Sequence, residues 1–222
     1  MVDGAVITVA QRKGGAGKTT LAAQLAVAWW LQGRRVALLD IDEQGSLRAW
    51  AEVRGRVAGG GDGGLPVTHL SGWRLGPELS RLKGAADLIL VDCPPHAETE
   101  ARTAIRASDL VLVPCQPNPL DLWATRETLS IARREGRPAL LVLNRVPPRG
   151  RSALAIRDAM AEEGLPLADA SLGNRVAFAA SMGEGRGVGE TEPRSPAAEE
   201  IGALAGEVLR RLGGGRGGPG GR

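Results

Sequence analysis

One short segment constrains the fold of this chain more than any other: residues 10–20 read AQRKGGAGKTT. It follows an apolar stretch typical of a buried strand, at residues 6–10, and precedes an Ala- and Leu-rich stretch typical of a helix, at residues 18–32. Glycines let successive backbone N–H groups converge on phosphate oxygens, and the helix N-terminus adds a partial positive charge. A glycine-rich loop in this position predicts a nucleotide-binding α/β fold.

The loop also carries the side chains that triphosphate chemistry needs. Lys18 is placed to reach the β- and γ-phosphates, and the Thr19 hydroxyl is placed to ligate Mg²⁺. ATP and Mg²⁺ are therefore the expected cofactors, and a purely structural turn is the alternative. The residues expected to surround the phosphates are Gly14, Gly15, Ala16, Gly17, Lys18, Thr19 and Thr20.

The rest of the chain repeats the alternation of short apolar strands with helices. Further strands are predicted at residues 35–40, 67–70, 88–92, 110–114 and 139–144, and helices at 46–53, 98–107, 120–135, 152–163 and 196–212. Continuous apolar strands separated by helices indicate a parallel sheet covered on both faces. The predicted fold is a single doubly wound, mainly parallel sheet flanked by helices, of the P-loop NTPase type.

The chain's length of 222 residues suits one α/β domain, expected at residues 1–212. The last ten residues, GGGRGGPGGR at 213–222, cannot bury a core and are expected to form a disordered tail. No apolar run has the length of a membrane span, and no secretory signal is evident before the first strand. Two cysteines do not suggest a disulfide framework, so a reducing cytoplasm is expected.

Three aspartates follow or end predicted strands, at the carboxyl edge where α/β sheets bind ligands. Asp40 is expected to hold Mg²⁺ through water, and Asp92 to orient the Mg²⁺ shell. Asp42 lies two residues after Asp40. An ordinary loop aspartate or helix cap is the alternative for Asp42, and a turn aspartate is the alternative for Asp92.

The segment KGGAGKTT resembles the deviant phosphate loop of the ParA/MinD ATPases. The resemblance continues through LLDIDEQGS, LILVDCPP, SDLVLVPCQPNPLD and LVLNRV, and covers residues 2–212. It is greatest to the small ParA-type partition ATPases that lack an N-terminal DNA-reading domain, because the first strand begins within a few residues of Met1.

This resemblance implies roles for three further residues. Lys13 matches the family lysine that crosses a dimer interface to the partner's nucleotide, and Asp42 matches the aspartate that positions the attacking water. Asn144 matches the asparagine that reads adenine, since an amide offers both a donor and an acceptor. The alternatives are a solvated lysine at 13 and a turn-forming asparagine at 144. Glu43 departs from the family, which usually has proline there.

Arginines are concentrated in one region, with eight between residues 126 and 157 against two glutamates, in a chain of net charge +3. Such a patch predicts non-specific binding to nucleic-acid phosphates. A solvated helix face is the alternative. The arginines expected to contact DNA are Arg145, Arg149, Arg151, Arg175 and Arg186.

The combined prediction is a positioning or partition ATPase. An ATP-dependent homodimer would bind DNA non-specifically on the nucleoid, and a ParB-like or cargo-adaptor protein would stimulate hydrolysis and release. A MinD-like membrane regulator is one alternative, although no membrane partner is expected because the C-terminus is rich in Gly and Arg. A carboxylate-activating metabolic ATPase of the same fold is the other. The five tryptophans are assigned to packing.

Overall fold

The computed structural model describes residues 4–95, 98–148 and 151–215. Its sheet has the strand order β3-β2-β4-β1-β5-β6, and every neighbouring pair is parallel. The predicted doubly wound parallel sheet is therefore confirmed. The strands are β1 Ala5–Val9, β2 Val36–Asp40, β3 Val67–His69, β4 Leu88–Asp92, β5 Leu110–Cys115 and β6 Ala139–Leu143.

Helices connect these strands, as parallel pairing requires. A short 3₁₀ turn at Gly72–Arg74 precedes the third of them. The helices are α1 Lys18–Leu31, α2 Ser46–Val57, α3 Leu75–Leu82, α4 Glu98–Ala107, α5 Pro119–Arg134, α6 Arg151–Glu162, α7 Val176–Gly183, α8 Val188–Thr191 and α9 Pro196–Gly215.

Alternate residues of each strand point to opposite faces of the sheet, and both faces are buried. In β1, Ile7 packs with α1, α2, α7, α8 and α9 on one face. Its neighbour Val6 packs with α3, α4 and α5 on the other. Because the strands other than β3 are buried on both sides, they read as continuous hydrophobic runs rather than as alternating patterns.

Helix α1 lies within this core instead of on the surface. Ten of its residues are buried, including Gln24, whose amide donates to Ser181 and accepts from the backbone N–H of Val188. A helix that is apolar on all sides is typical of a core position. The helix that begins at the phosphate loop is thus held rigidly from every direction.

Sequence reasoning missed α3, α7 and α8. A signal for α3 was present, because Leu75, Leu79 and Leu82 recur at helical spacing and are its buried residues. Pro77 does not interrupt that helix because it lies in the first turn, where its missing N–H has no helical partner. Helices α7 and α8 are only eight and four residues long, so their periodicity is too brief to detect.

Two expectations about side chains and the chain end need correction. Trp29 and Trp50 are buried as predicted, but Trp73 is 80% exposed and Trp123 is 59% exposed, so these two do not pack in the core. Helix α9 continues to Gly215, into the segment expected to be disordered, and residues 216–222 of that segment lie outside the described residues. Within the described ranges, no helix combines the length and apolarity needed to cross a bilayer.

Candidate nucleotide-binding site

The glycine-rich loop connects β1 to α1 through two left-handed residues. Gly15 has φ 75° and Gly17 has φ 92°, a region that residues with a Cβ rarely occupy. A Cβ on Gly17 would also lie 2.5 Å from Nδ2 of Asn144. Helix α1 begins immediately afterwards, with the Leu21 amide donating to the Gly17 carbonyl. The predicted loop geometry is present.

Buried polar side chains fasten the loop to the neighbouring strand and to α5. Nε2 of Gln11, which is 2% exposed, donates to Oγ1 of Thr125 at 2.9 Å and to the Pro114 carbonyl. Thr128 donates to Oε1 of Gln11, and Gln116 donates to the Gly15 carbonyl. Sequence reasoning assigned no role to these residues, although Gln11 and Gln116 lie within the quoted motifs. They attach the loop to β5, to the segment that follows it and to α5.

Thr19 and Asp92 meet at the centre of the site. The Thr19 hydroxyl donates to Oδ2 of Asp92 at 2.6 Å, and Asp92 is 1% exposed. The other carboxylate oxygen, Oδ1, is buried without a hydrogen-bond partner among the described residues. A hydroxyl beside an unpartnered carboxylate oxygen is a donor set that suits Mg²⁺, which prefers oxygen ligands and keeps several waters. The residues present therefore fit the predicted metal.

The same surroundings change the acid–base properties of the site. Burial raises the pKa of Asp92 to about 7, while the Thr19 hydroxyl opposes the shift. Burial also lowers the pKa of Lys18, which is 6% exposed, and the carboxylates of Asp92 and Asp42 oppose that change. A bound cation or phosphate would relieve both desolvated charges, because each charge would then face an opposite one.

Asp40 and Asp42 shape the turn between β2 and α2. Oδ1 of Asp40 accepts from the Asp42 amide and Oδ2 accepts from the Arg48 amide, so both oxygens already hold backbone N–H groups. Burial raises the pKa of Asp40. Oδ1 of Asp42 accepts from the Gln44 amide. Asp40 and Asp92 are directly paired across β2 and β4. Asp40 therefore lies beside Asp92 at the carboxyl edge of the sheet, as predicted. The water-mediated contact of Asp40 with Mg²⁺ stays a prediction.

Asn144 lies at the end of β6, beside a pocket of about 340 Å³ next to the phosphate loop. Its amide donates to the Ala16 carbonyl at 2.9 Å and accepts from the Arg145 amide, so it also serves as a turn residue. One amide hydrogen and one carbonyl lone pair remain for a ligand. The pocket suits a nucleotide base in size, and its lining includes Gly17, Thr20, Leu21, Asn144, Asn174 and Phe178.

The side chain of Lys13 is 39% exposed and forms an ion pair. Its ammonium lies 2.5 Å from Oδ1 of Asp121, which is buried in the first turn of α5. Asn118 caps that helix by accepting from the Asp121 amide, and its own amide donates to Oδ2 of Asp121. Neighbouring Arg12 pairs with Glu127 on the same helix. Neither ion pair was predicted from the sequence.

A larger cleft, of about 670 Å³, opens between the loops that follow β2, β3 and β4 and helix α4. Asp42, Glu43 and Glu100 contribute carboxylates to it, and exposed Trp73 lies at its wall. Glu43, which stands where the family usually has proline, is itself exposed. Asp42, the catalytic aspartate predicted from the sequence, therefore lines this cleft.

The arginines predicted to contact DNA do not form one uniform group. Arg145 and Arg186 are exposed, and neither has an ion pair within the described residues. Arg175 pairs with Glu200 at 2.6 Å. Arg149 lies outside the described residues, and Arg151 begins α6, where its side chain is not described. The DNA surface stays a prediction.

Known proteins resemble this chain over most of its length. The pattern of the CobQ/CobB/MinD/ParA nucleotide binding domain matches residues 7–188. The maintenance of carboxysome distribution protein A of Halothiobacillus neapolitanus is 31% identical over 210 residues, covering 91% of this chain and 95% of that protein. The chromosome-partitioning ATPase Soj of Thermus thermophilus is 29% identical, covering 93% and 96%.

A solved structure extends the likeness to three dimensions. The septum site-determining protein MinD of Pyrococcus horikoshii, in complex with Mg-ADP, is 25% identical, with a TM-score of 0.75. The similarity covers 95% of this chain and 98% of that one. The described chain and that nucleotide-bound protein therefore share their architecture over nearly their whole lengths.

Proposed function

The chain belongs to the CobQ/CobB/MinD/ParA family of nucleotide-binding domains, and from that premise we propose that it is an ATP-hydrolysing positioning protein. The observation that carries the proposal is the arrangement of side chains at the phosphate loop. Lys18 is buried there, and the Thr19 hydroxyl is hydrogen-bonded to Asp92 at the end of β4, a set of groups that suits a magnesium triphosphate. The relatives that match over nearly the whole chain are named for carboxysome distribution and chromosome partitioning. Distributing a large cargo is the activity they have in common.

ATP and Mg²⁺ are the cofactors of this proposal. The loop N–H groups and Lys18 would hold the phosphates, with Thr19 and Asp92 on the metal side. The bound Mg²⁺ would neutralise charge between the β- and γ-phosphates. Asp42 would orient the attacking water from the turn that Asp40 supports, and the pocket beside Asn144 would take the base.

The switching part of the proposal is a sandwich dimer. Lys13 would reach the nucleotide of a second copy, where a cation delivered from outside stabilises charge on the phosphates. The dimer would bind DNA non-specifically through exposed arginines such as Arg145 and Arg186. An activating partner bound to cargo would then stimulate hydrolysis and release the dimer. The nucleoid is the corresponding location, and a carboxysome, plasmid or chromosome locus are the corresponding cargoes.

The test measures the DNA binding of the protein and its molecular mass in solution, each with ATP, with ADP and without nucleotide. We expect a dimer that binds DNA with ATP only, and we expect Asp42→Ala to trap it. Lys13→Ala should abolish dimer formation, whereas Lys83→Ala, which removes an equal charge elsewhere, should not. DNA binding that is unchanged without nucleotide would contradict the proposal. Sedimentation of the protein with liposomes would support the membrane regulator instead. ATP turnover that requires a small carboxylate would support the carboxylate-activating enzyme.

A further inference from the structure

Two consecutive carbonyl groups of the phosphate loop are held by side-chain amides. Nε2 of Gln116 donates to the Gly15 carbonyl at 3.2 Å. Nδ2 of Asn144 donates to the Ala16 carbonyl at 2.9 Å. We propose that Gln116 is a positioning residue, which holds the Gly15 carbonyl on the outer side of the loop, away from the phosphates. The proposal rests on the nucleotide binding of the proposed function and adds to it a residue outside the phosphate loop.

The backbone conformation of the loop explains why the direction of this carbonyl matters. Gly15 and Gly17 are left-handed, with φ 75° and φ 92°, and Ala16 between them is not. An alternation of this kind gathers backbone N–H groups into a concavity that binds anions. The Gly15 carbonyl and the Ala16 N–H belong to one planar peptide unit, so a contact that fixes the carbonyl also fixes the direction of that N–H. A carbonyl turned inward would instead bring its partial negative charge against the phosphates.

Side-chain packing does not restrain this part of the loop. Gly14 and Gly15 are both exposed, and a Cβ built on either of them would meet nothing within 4 Å. Glycine also restricts its own backbone less than any other residue. The orientation of the peptide that follows Gly15 therefore depends on hydrogen bonds, and Gln116 supplies one of them to its carbonyl.

Gln116 extends from a backbone that is itself well held. The residue directly follows β5, and its carbonyl accepts from the backbone N–H of Asn118 at 2.8 Å. Pro117 favours an extended backbone at the residue before it. The backbone N–H of Asn144 donates to the Cys115 carbonyl at 2.8 Å, so the ends of β5 and β6 are tied together. The two amides that hold the loop therefore come from adjacent, connected positions.

The experiment compares Gln116→Met with Gln32→Met. Methionine keeps the unbranched shape of glutamine but has no N–H group to donate. Gln32 follows the last residue of α1, is exposed, and forms no side-chain hydrogen bond within the described part of the chain. We expect Gln116→Met to raise the dissociation constants of Mg-ADP and Mg-ATP by about threefold to tenfold, the usual effect of one hydrogen bond. Gln32→Met should leave both constants within about twofold of the wild type.

Further measurements separate positioning from a general loss of structure. AMP lacks the phosphates that the loop surrounds, so its affinity should differ by less than about twofold between Gln116→Met and the wild type. The KM for ATP should rise while kcat stays unchanged, as expected when a contact serves the ground state and the transition state equally. The midpoint of urea unfolding should stay the same, because Gln116 lies at the surface of the loop.

The nucleotide-free protein gives an independent readout. The NMR signal of the Gly15 carbonyl carbon should change in Gln116→Met and stay unchanged in Gln32→Met. Unchanged affinities of Gln116→Met for Mg-ADP and Mg-ATP, in a wild type that binds both, would overturn this inference alone. An equal loss of AMP affinity, or a fall in kcat at constant KM, would overturn it in the same way. A wild type that binds neither nucleotide would overturn the proposed function as well.

Discussion

At the scale of single residues, conformation and burial decide what the phosphate loop tolerates. Gly14 and Gly17 occur in the same motif, but their surroundings differ. Gly17 has φ 92° and faces Asn144, whereas a Cβ on Gly14 would meet nothing within 4 Å. The requirement for glycine in a phosphate loop is therefore a property of particular positions.

We predict that Gly17→Ala lowers the free energy of unfolding by about 1–3 kcal/mol, because alanine is strained in the left-handed region and its Cβ displaces Asn144. ATP affinity should fall with it. Gly14→Ala is the matched control and should change stability by less than about 0.5 kcal/mol. Chemical denaturation and nucleotide titration measure both effects, and equal losses in the two variants would contradict the prediction.

The buried carboxylate of Asp92 predicts a pH dependence in the nucleotide- and metal-free protein. Its pKa is raised from 3.8 to about 7, so the folded state retains a proton that the unfolded state has released. Stability that is present below about pH 4 is therefore lost as the pH rises through about 7.

Asp92→Asn should remove this part of the pH dependence. Relative to the wild type, the free energy of unfolding of the variant should increase by on the order of 3 kcal/mol between pH 4.5 and pH 7.5. Denaturation of both proteins at the two pH values measures this difference. Parallel stability profiles for the two proteins would show that Asp92 has an ordinary pKa.

At the scale of elements, buried polar contacts attach helices to one another. Helix α2 carries Arg54, whose side chain is 5% exposed and forms two hydrogen bonds with Glu190 of α8. The same guanidinium donates to the carbonyls of Gly63 and Gly185 and lies over the ring of Trp30. Gly63, in the glycine-rich segment at residues 59–64, therefore allows the backbone to approach a buried cation closely.

We predict that Arg54→Ala lowers the free energy of unfolding by about 3–5 kcal/mol, since it leaves Glu190 and two carbonyls without their donor. Arg48→Ala on the same helix removes only an exposed pair with Glu52 and should cost less than about 0.5 kcal/mol. Urea denaturation distinguishes the two variants. Similar small losses would mean that the buried cluster contributes little to stability.

At the scale of the whole molecule, charge is distributed unevenly although the net charge is only +3. Part of the arginine-rich region at residues 126–157 is neutralised locally, because Arg126 pairs with Glu163. The charge available for a polyanion is thus smaller than the arginine count indicates. Arginines without a carboxylate partner are therefore the better positions at which to test DNA binding.

We predict that Arg145→Ala or Arg186→Ala weakens ATP-dependent DNA binding and lowers the slope of log affinity against log salt by about 1. Arg126→Ala should have a smaller effect, because Glu163 already neutralises that charge. Titrations with duplex DNA at several salt concentrations measure the slopes. Equal slopes in all three variants would exclude these residues from the DNA surface.

The sequence by itself determined the parallel sheet, the phosphate loop and the carboxyl edge at which Asp40, Asp42 and Asp92 gather. These features depend on local periodicity and on a motif confined to a few consecutive residues, and the order of elements then sets which strand ends meet. The helices that were missed, α3, α7 and α8, are all short, with eight, eight and four residues.

Only the tertiary structure decided which distant side chains meet. Thr19 and Asp92 are 73 residues apart in the sequence, and Gln11 and Thr125 are 114 apart. Lys13 and Asp121, which form an ion pair, are also distant in the sequence. Such contacts depend on the packing of α1 against β4 and of α5 against the phosphate loop, and this packing leaves no periodic trace in the chain. Burial, and with it the raised pKa of Asp92, follows from the same packing, because desolvation depends on all the neighbours of a group together.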